Sequence, residues 1–268
     1  MFQITSINAF SRGAPTGNPA GVCLLQQFPD AATMQDIATR VGHAETAFLV
    51  AQSTNHYALR WFTPTTEVSM CGHGSVAAAH FLRESCRVDT TQPIKFSITS
   101  GELEARYDGI HIYLTLPATP GEAVAITPTI TACIDAPIER CLRSKSSYLV
   151  TVADMHSLHT CKPNLQAIAA LDSEDLIVTT AGQNGYDYAY RCFCPQVGID
   201  EDQVTGSANA ILAPYWSQKL ARTHMQAFQA SRNGGALMIQ LMGNAVEIGG
   251  EAHTISTISM DINQTEAA

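Results

Sequence analysis

Glu45 stands at the lip of an apolar strand, in Gly42-His-Ala-Glu45-Thr-Ala-Phe-Leu49. A carboxylate so placed is partly desolvated, which raises its pKa and suits it to general acid/base work. The competing reading is a hydrated turn residue, as most charged loop residues are. His73 lies in Cys71-Gly-His-Gly-Ser75, a glycine-rich turn that opens a helix. There an imidazole can donate a hydrogen bond or relay a proton, or simply cap the helix. Asp202 belongs to Gly198-Ile-Asp-Glu-Asp202-Gln-Val-Thr-Gly-Ser207. Asp200 and Glu201 read as carboxylates matched to a helix dipole, and Asp202 is singled out by the five residues after it. Ser207 offers a hydroxyl and a backbone N–H at a helix start. That suits carboxylate binding better than nucleophilic attack, because no Gly-x-Ser-x-Gly elbow surrounds it.

Cys71 is a further candidate, since a thiolate at a helix N-terminus has a lowered pKa and can act as a base. Two-base racemisation needs a partner on the other face, and the counterpart of Cys71 in the repeat described next is Thr205. Met155-His156-Ser-Leu-His159-Thr-Cys161 carries metal-ligand residue types. Its spacing fits no common zinc site and no fourth ligand is evident, so no metal is expected.

The elements that must position these groups are written twice. Arg60-Trp-Phe-Thr-Pro64 leads into a glycine-rich turn and an Ala-rich helix, and so does Arg191-Cys-Phe-Cys-Pro195. In the first copy the turn runs into Val-Ala-Ala-Ala-His-Phe-Leu82; in the second, Thr205-Gly-Ser207 runs into Ala-Asn-Ala-Ile-Leu-Ala213. Such turns expose backbone N–H groups at the positive end of a helix dipole, a seat for a carboxylate or phosphate. Two seats facing one cleft would clamp a small anionic metabolite.

Around the turns, a helix starts after Pro29-Asp with Met34, Ile37, Ala38 and Val41 on one face and stops near Gly42. Gly17-Asn-Pro-Ala-Gly21 reads as a turn before the strand Val22–Gln26. Residues 74–84 form a helix whose small side chains would let a sheet wrap closely around it. Three strands follow at 95–100, 102–107 and 110–116, matched in the second half by 225–231, 237–242 and 245–250. The second helix continues over 209–215, and 253–262 alternates as a closing strand. Pro117–Pro120 marks the boundary, giving an N-terminal domain over 1–118, a C-terminal domain over 119–252, and a last strand at about 253–268 that packs back on the first. Antiparallel runs with one central helix per half make the class α+β.

The 268 residues carry a formal charge of -9 with no basic run, which disfavours nucleic acid and anionic membranes as partners. No apolar run approaches the roughly 18 residues of a membrane span. The opening Met1-Phe-Gln-Ile-Thr-Ser passes straight into a strand pattern, as expected of a chain without a secretory leader. Eight scattered cysteines without a C-x-x-C pair fit a reduced, cytoplasmic setting.

Gly17-Asn-Pro-Ala-Gly21, Glu45-Thr-Ala-Phe, Arg60-Trp-Phe-Thr-Pro64, Cys71-Gly-His73 and Glu201-Asp202-Gln-Val-Thr-Gly-Ser207-Ala, in this order from residue 1 to about 262, resemble the PhzF-like isomerases of phenazine biosynthesis, relatives of diaminopimelate epimerase. The resemblance implies two pseudo-symmetric domains, each a mixed, mostly antiparallel sheet wrapped around a central helix, with the site in the cleft between them. It implies cofactor-free chemistry and a homodimer. By motif, Glu45 would be the general acid/base, His73 and Asp202 would assist proton movement, and Gly72, Gly206 and Ser207 would bind the substrate carboxylate. Two positions depart from the pattern: Gln203 replaces the usual Pro, and Gly74-Ser75 replaces Ala-Thr or Pro-Thr. The reading is an isomerase that shifts a proton, and hence a double bond, within a small carboxylate. Its alternatives are a racemase or epimerase using Cys71, and a dimeric metabolite-binding protein without turnover.

Overall fold

The computed structural model describes residues 1–12 and 16–261. The chain divides into two compact units, one built on Asn18–Leu114 together with the first strand and the segment from Gly250, the other on Thr115–Gly249. No helix among the described residues is long and apolar enough to cross a membrane.

The first unit begins with β1 (Phe2–Ala9) and β2 (Asn18–Leu25). Asn18 to Gly21, read from sequence as a turn, belong to the strand instead, because the β1–β2 ladder extends to Ala9↔Asn18. Gly21 is needed for packing: a Cβ there would lie 3.0 Å from Thr46 Oγ1 and 3.2 Å from Val41 Cγ1. Helix α1 (Ala31–Val41) is capped by Asp30, whose Oδ1 accepts from the Thr33 amide at 2.7 Å. Gly42 ends it at a φ of 68°, a left-handed conformation that glycine adopts without steric cost. Its buried face, Met34, Ile37 and Ala38, packs with Ile4, Cys23, Phe48 and Phe62.

The chain continues through β3 (Glu45–Ser53), β4 (His56–Phe62), the short β5 (Glu67–Val68), α2 (Gly72–Glu84), β6 (Ile94–Ile98), β7 (Gly101–Asp108) and β8 (His111–Pro117). Every residue of α2 from Gly72 to His80 is buried. A helix buried on all sides must be enclosed, and α2 packs on β1, β2 and β3.

The second unit contains β9 (Glu122–Val124), α3 (Pro128–Thr131), β10 (Arg140–Arg143), β11 (Ser147–Thr151), α4 (Met155–Thr160), α5 (Leu165–Ala169), β12 (Asp175–Ala181) and β13 (Tyr188–Cys194). It is completed by β14 (Ile199–Asp202), α6 (Asn209–Leu220), β15 (His224–Gln229), β16 (Gly235–Met242) and β17 (Ala245–Gly250). The sequence reading stopped α6 at Tyr215, next to Pro214, yet the helix runs on to Leu220. Pro214 cannot donate to the Ala210 carbonyl; the Thr119 amide does so at 2.8 Å. The chain ends with β18 (Ala252–Met260), which pairs antiparallel with β1 from Phe2↔Met260 to Ala9↔Ala252. Its expected continuation through Ile262 lies outside the described residues.

The duplication is a duplication of strand pairing. In the first unit β1–β2, β2–β3, β3–β4, β4–β5, β4–β6 and β6–β7 pair as antiparallel, parallel, antiparallel, antiparallel, parallel, antiparallel. In the second, β10–β11, β11–β12, β12–β13, β13–β14, β13–β15 and β15–β16 repeat that series. The register gives residue equivalences. Thr46 pairs with Phe62 and Leu176 with Phe193, so the first residue of β3, Glu45, corresponds to the first residue of β12, Asp175. Trp61 pairs with Val68 and Cys192 with Asp202, so Asp202 stands where the first unit has Val68.

Candidate active site

The doubled arginine is structural. Arg60 makes a two-pronged ion pair with Glu67, both bonds 2.7 Å, tying β4 to β5. Arg191 repeats this with Glu201 at 2.7 and 2.9 Å, tying β13 to β14. Glu201 is therefore an arginine partner rather than a helix-dipole residue. Each pair stiffens the approach to a glycine turn.

In the first unit, Gly42 turns the chain out of α1 so that Glu45 opens β3, with 8% of its surface exposed. Its Oε2 lies 2.8 Å from Nε2 of His73, the second residue of α2, which is 2% exposed. The other ring nitrogen, Nδ1, is 3.1 Å from Asn18 Nδ2 at the start of β2. With Asn18 donating, Nδ1 is an acceptor and Nε2 carries the proton, at ion-pair distance from Glu45 Oε2 though not aligned for a hydrogen bond. Turning the Asn18 amide over would present its oxygen to a protonated Nδ1, so the same residue can serve both charge states. Asn18 was not singled out from sequence. Its signal was the Gly-Asn-Pro motif, read as a turn.

Burial opposes charging His73, but its neighbours Cys71 and Glu45 outweigh this, and the pKa lies well above the usual imidazole value. Burial, then Glu45, pushes the Cys71 thiol up to about 11. A thiol raised that far carries its proton at pH 7, and Glu45 is the neighbouring carboxylate that favours a proton on His73. His43, whose Nε2 lies 2.8 Å from Ser6 Oγ, is pushed the other way by burial and by the His73 charge. The sign follows directly: a raised folded pKa contributes stability that is complete below about 6.5 and is lost as pH rises through the folded value. Wild type should therefore exceed His73→Gln in unfolding free energy by more at pH 6 than at pH 9.5 in urea titrations. An equal or reversed difference would show that the ring is not held protonated.

Cys71, the alternative base, sits here as a helix cap. Its sulfur is the N-cap of α2, accepting from the Gly74 amide at 3.2 Å, and its carbonyl accepts from Ser75 Oγ at 2.6 Å. Gly74 is fitted to this arrangement, since a Cβ there would lie 2.9 Å from Cys71 Sγ and 3.0 Å from Trp61 Cδ1. Gly72 is the first residue of the helix, where backbone N–H groups have no intrahelical acceptor.

In the second unit, Asp202 ends β14 at 6% exposure, and its Oδ2 accepts from Thr205 Oγ1 at 2.5 Å. Gln229, wholly buried, donates to the Asp202 carbonyl at 2.6 Å and accepts from the Thr205 amide at 2.5 Å. Gly206 and Ser207 form a turn ahead of α6 rather than its first residues: the Asn209 and Ala210 amides reach back to the Gly206 and Ser207 carbonyls at 3.0 and 2.9 Å. Asn209 locks this turn, donating to the Gly206 carbonyl at 3.0 Å while accepting from the Tyr188 hydroxyl at 2.7 Å. Gln203 holds by hydrogen bonds what a proline would hold by its ring. Its Oε1 accepts from the Asn233 amide at 3.0 Å, and its carbonyl from Ser231 Oγ at 2.5 Å.

The structure thus brings Glu45, His73, Cys71 and Asn18 together in the first unit. In the second it brings together Asp202 and Thr205, with Gly206 and Ser207 following in the turn. Asp175, the register counterpart of Glu45, escaped the sequence reading. Its pKa is raised to about 7, chiefly by burial, with Glu174 and Asp202 adding to it and Ser147 opposing. Among the described residues, two sets could hold a metal ion: Glu45, Cys71 and His73, and Asp175, Cys192 and Cys194. At the first, a cation would compete with the proton on His73. The Met155–Cys161 run forms helix α4, capped by Asp154, with Cys161 just past its end. All eight cysteines are free. Cavities of about 580 and 240 Å³ in the second unit are lined by other residues.

The model of the phenazine biosynthesis-like proteins, PhzC-PhzF, matches residues 7–257. The chain is 38% identical over 253 residues to an uncharacterized isomerase of Halalkalibacterium halodurans, covering 93% of this chain and 94% of that one. A crystal structure of a PhzF-family phenazine biosynthesis protein from Enterococcus faecalis superimposes with a TM-score of 0.89 at 33% identity, over 96% of this chain and 97% of that one. The fold extends to a hydroxyproline epimerase from Agrobacterium vitis, with a TM-score of 0.65 at 12% identity over 96% and 91% of the two chains. The architecture is α+β and diaminopimelate epimerase-like.

Proposed function

This chain belongs to the phenazine biosynthesis-like (PhzC-PhzF) family of isomerases, and from that premise we propose that it moves a proton within a small carboxylate-bearing metabolite, with Glu45 as the general acid/base. The observation that carries the reading is the 2.8 Å contact between Glu45 and His73, both buried. A carboxylate beside a protonated imidazole can take a proton from a carbon next to an activating group while the ring compensates the change in charge. The same carboxylate can then return the proton to another carbon, shifting the double bond without a cofactor. Asn18 follows the change by presenting either end of its amide to Nδ1. Asp202, held by Thr205, orients polar substituents, and the amides of Gly72, Gly206 and Ser207 are the seats for the substrate carboxylate. A homodimer is the assembly this reading takes.

The test is hydrogen exchange in D2O, followed by NMR over a panel of small cyclic and amino-substituted carboxylates. Deuterium should enter one class of substrate at carbon in the presence of the protein. Ligands that bind, by shifted resonances, yet never exchange would leave a binding protein without turnover.

Cys71 separates this mechanism from the thiol-based racemase. Its sulfur is a neutral helix cap, so Cys71→Ala should cost about 1 kcal/mol of stability and leave exchange within a few-fold of wild type. Cys71→Ser, which keeps a capping atom, should recover most of that stability. Abolished exchange in both variants, with the fold intact by circular dichroism, would return the base to the thiol.

A further inference from the structure

The second unit holds a cluster that the proton-transfer reading does not use. Cys192 and Cys194 are two apart on β13, so their side chains share one face of the strand. Their sulfurs are 3.7 Å apart. One step beyond the Leu176↔Phe193 pair, the first residue of β12, Asp175, comes across from Cys194. The carboxylate and both sulfurs all lie within 4.8 Å of one another. We propose that Asp175, Cys192 and Cys194 form a binding site for a thiophilic divalent cation of the Zn2+ class.

Two observations support the site independently of the proposed reaction. First, a tetrahedral metal with metal–sulfur bonds of about 2.3 Å places two thiolates about 3.8 Å apart, and the sulfurs already have that spacing. Second, Oδ1 of Asp175 is shielded from solvent and has no hydrogen-bond partner, a costly condition for a carboxylate oxygen that a cation would relieve.

A divalent ion would displace the protons of the two thiols, and that of Asp175 where it is protonated, releasing them to solvent. Two thiolates and one carboxylate select a borderline-soft ion over Mg2+ or Ca2+. Cys194 is only half-buried, which provides the path of entry. A bound ion would clamp the start of β12 to the end of β13, next to the strand that carries Asp202.

The duplicated architecture explains why a carboxylate is presented there: the position is that of Glu45. In the first unit the residues matching Cys192 and Cys194 are Trp61 and Thr63, so the thiol pair belongs to the second copy alone.

The test uses the full chain, reduced and stripped by a chelator, titrated with Co2+. One equivalent should give a near-ultraviolet thiolate-to-cobalt charge-transfer band and the strong visible bands of a tetrahedral site, all removed by Zn2+. Cys194→Ser, at a half-buried position that should tolerate it, is expected to weaken binding at least ten-fold and reduce the charge-transfer band. Asp175→Asn should weaken binding about ten-fold while the band remains. Cys71→Ser should change nothing, which excludes the Glu45–Cys71–His73 set as the source. Zn2+ should also raise the Tm of wild type and not of Cys194→Ser. No charge-transfer band at one equivalent, a band unaltered in Cys194→Ser, or its loss in Cys71→Ser would overturn the site.

Discussion

Glu45→Gln is expected to lower the rate of carbon proton exchange by about 10³-fold, within the range typical of a removed general acid/base, with substrate affinity changed only a few-fold. Glutamine keeps the length and shape of the side chain, and its amide oxygen can still accept from Nε2 of His73. What it cannot do is take up and return a proton. The loss should therefore fall on turnover rather than binding, and it should persist at every pH at which the protein is folded. The ring, no longer facing a carboxylate, loses the partner that holds it protonated, so its titration by NMR should move down. A variant retaining more than a tenth of wild-type exchange would remove Glu45 from the role. So would a loss confined to KM.

Asn209→Ala is expected to have the largest effect on stability, lowering the unfolding free energy by about 2–4 kcal/mol. Asn209 is wholly buried. It accepts from the Tyr188 hydroxyl at 2.7 Å, and donates to the Gly206 carbonyl at 3.0 Å and the Tyr190 hydroxyl at 3.3 Å. Alanine leaves the Tyr188 hydroxyl without its acceptor in an apolar setting, where its ring stacks on Trp216 at 5.7 Å. It also leaves a cavity at the start of α6. The Tyr190 hydroxyl keeps its bond to the Thr205 carbonyl at 2.9 Å, which is why the cost stays at this level. Urea titration of wild type and variant measures the difference, and Tyr188→Phe with Asn209→Ala completes the cycle. Once the tyrosine hydroxyl is absent, the asparagine should matter less. A change below 1 kcal/mol, or additive effects in the cycle, would show that the network does not secure the Gly206–Ser207 turn.

The parts of this fold that were readable in advance are those whose signals act over a few residues. Helix α1 was legible because Asp30, the spacing of Met34, Ile37 and Ala38, and Gly42 all lie within one dozen positions. The strand runs at 95–100, 102–107 and 110–116, and their counterparts at 237–242 and 245–250, were legible because strand alternation is local. The length of α6 was not, because the donor that lets the helix pass Pro214 is the amide of Thr119. The doubled arginine was visible as a repeat and misread in part, since only the pairing of β13 with β14 shows that Glu201 is its partner.

By itself the sequence determined that the chain is a duplication, where each copy places its glycine turn, and that Glu45, His73 and Asp202 were the side chains to watch. These are matters of residue type and spacing, set by propensity, caps and periodicity. Only the tertiary structure decided their chemical states. The His73 pKa is raised by Cys71 and by Glu45, which comes from another element and lies 2.8 Å away, and burial and that same carboxylate push the Cys71 thiol up to about 11. Asp175 emerged as the counterpart of Glu45 only through strand register. Proton affinity depends on burial and on neighbours brought together by folding, as Asn18 and His73 are across 55 positions of chain.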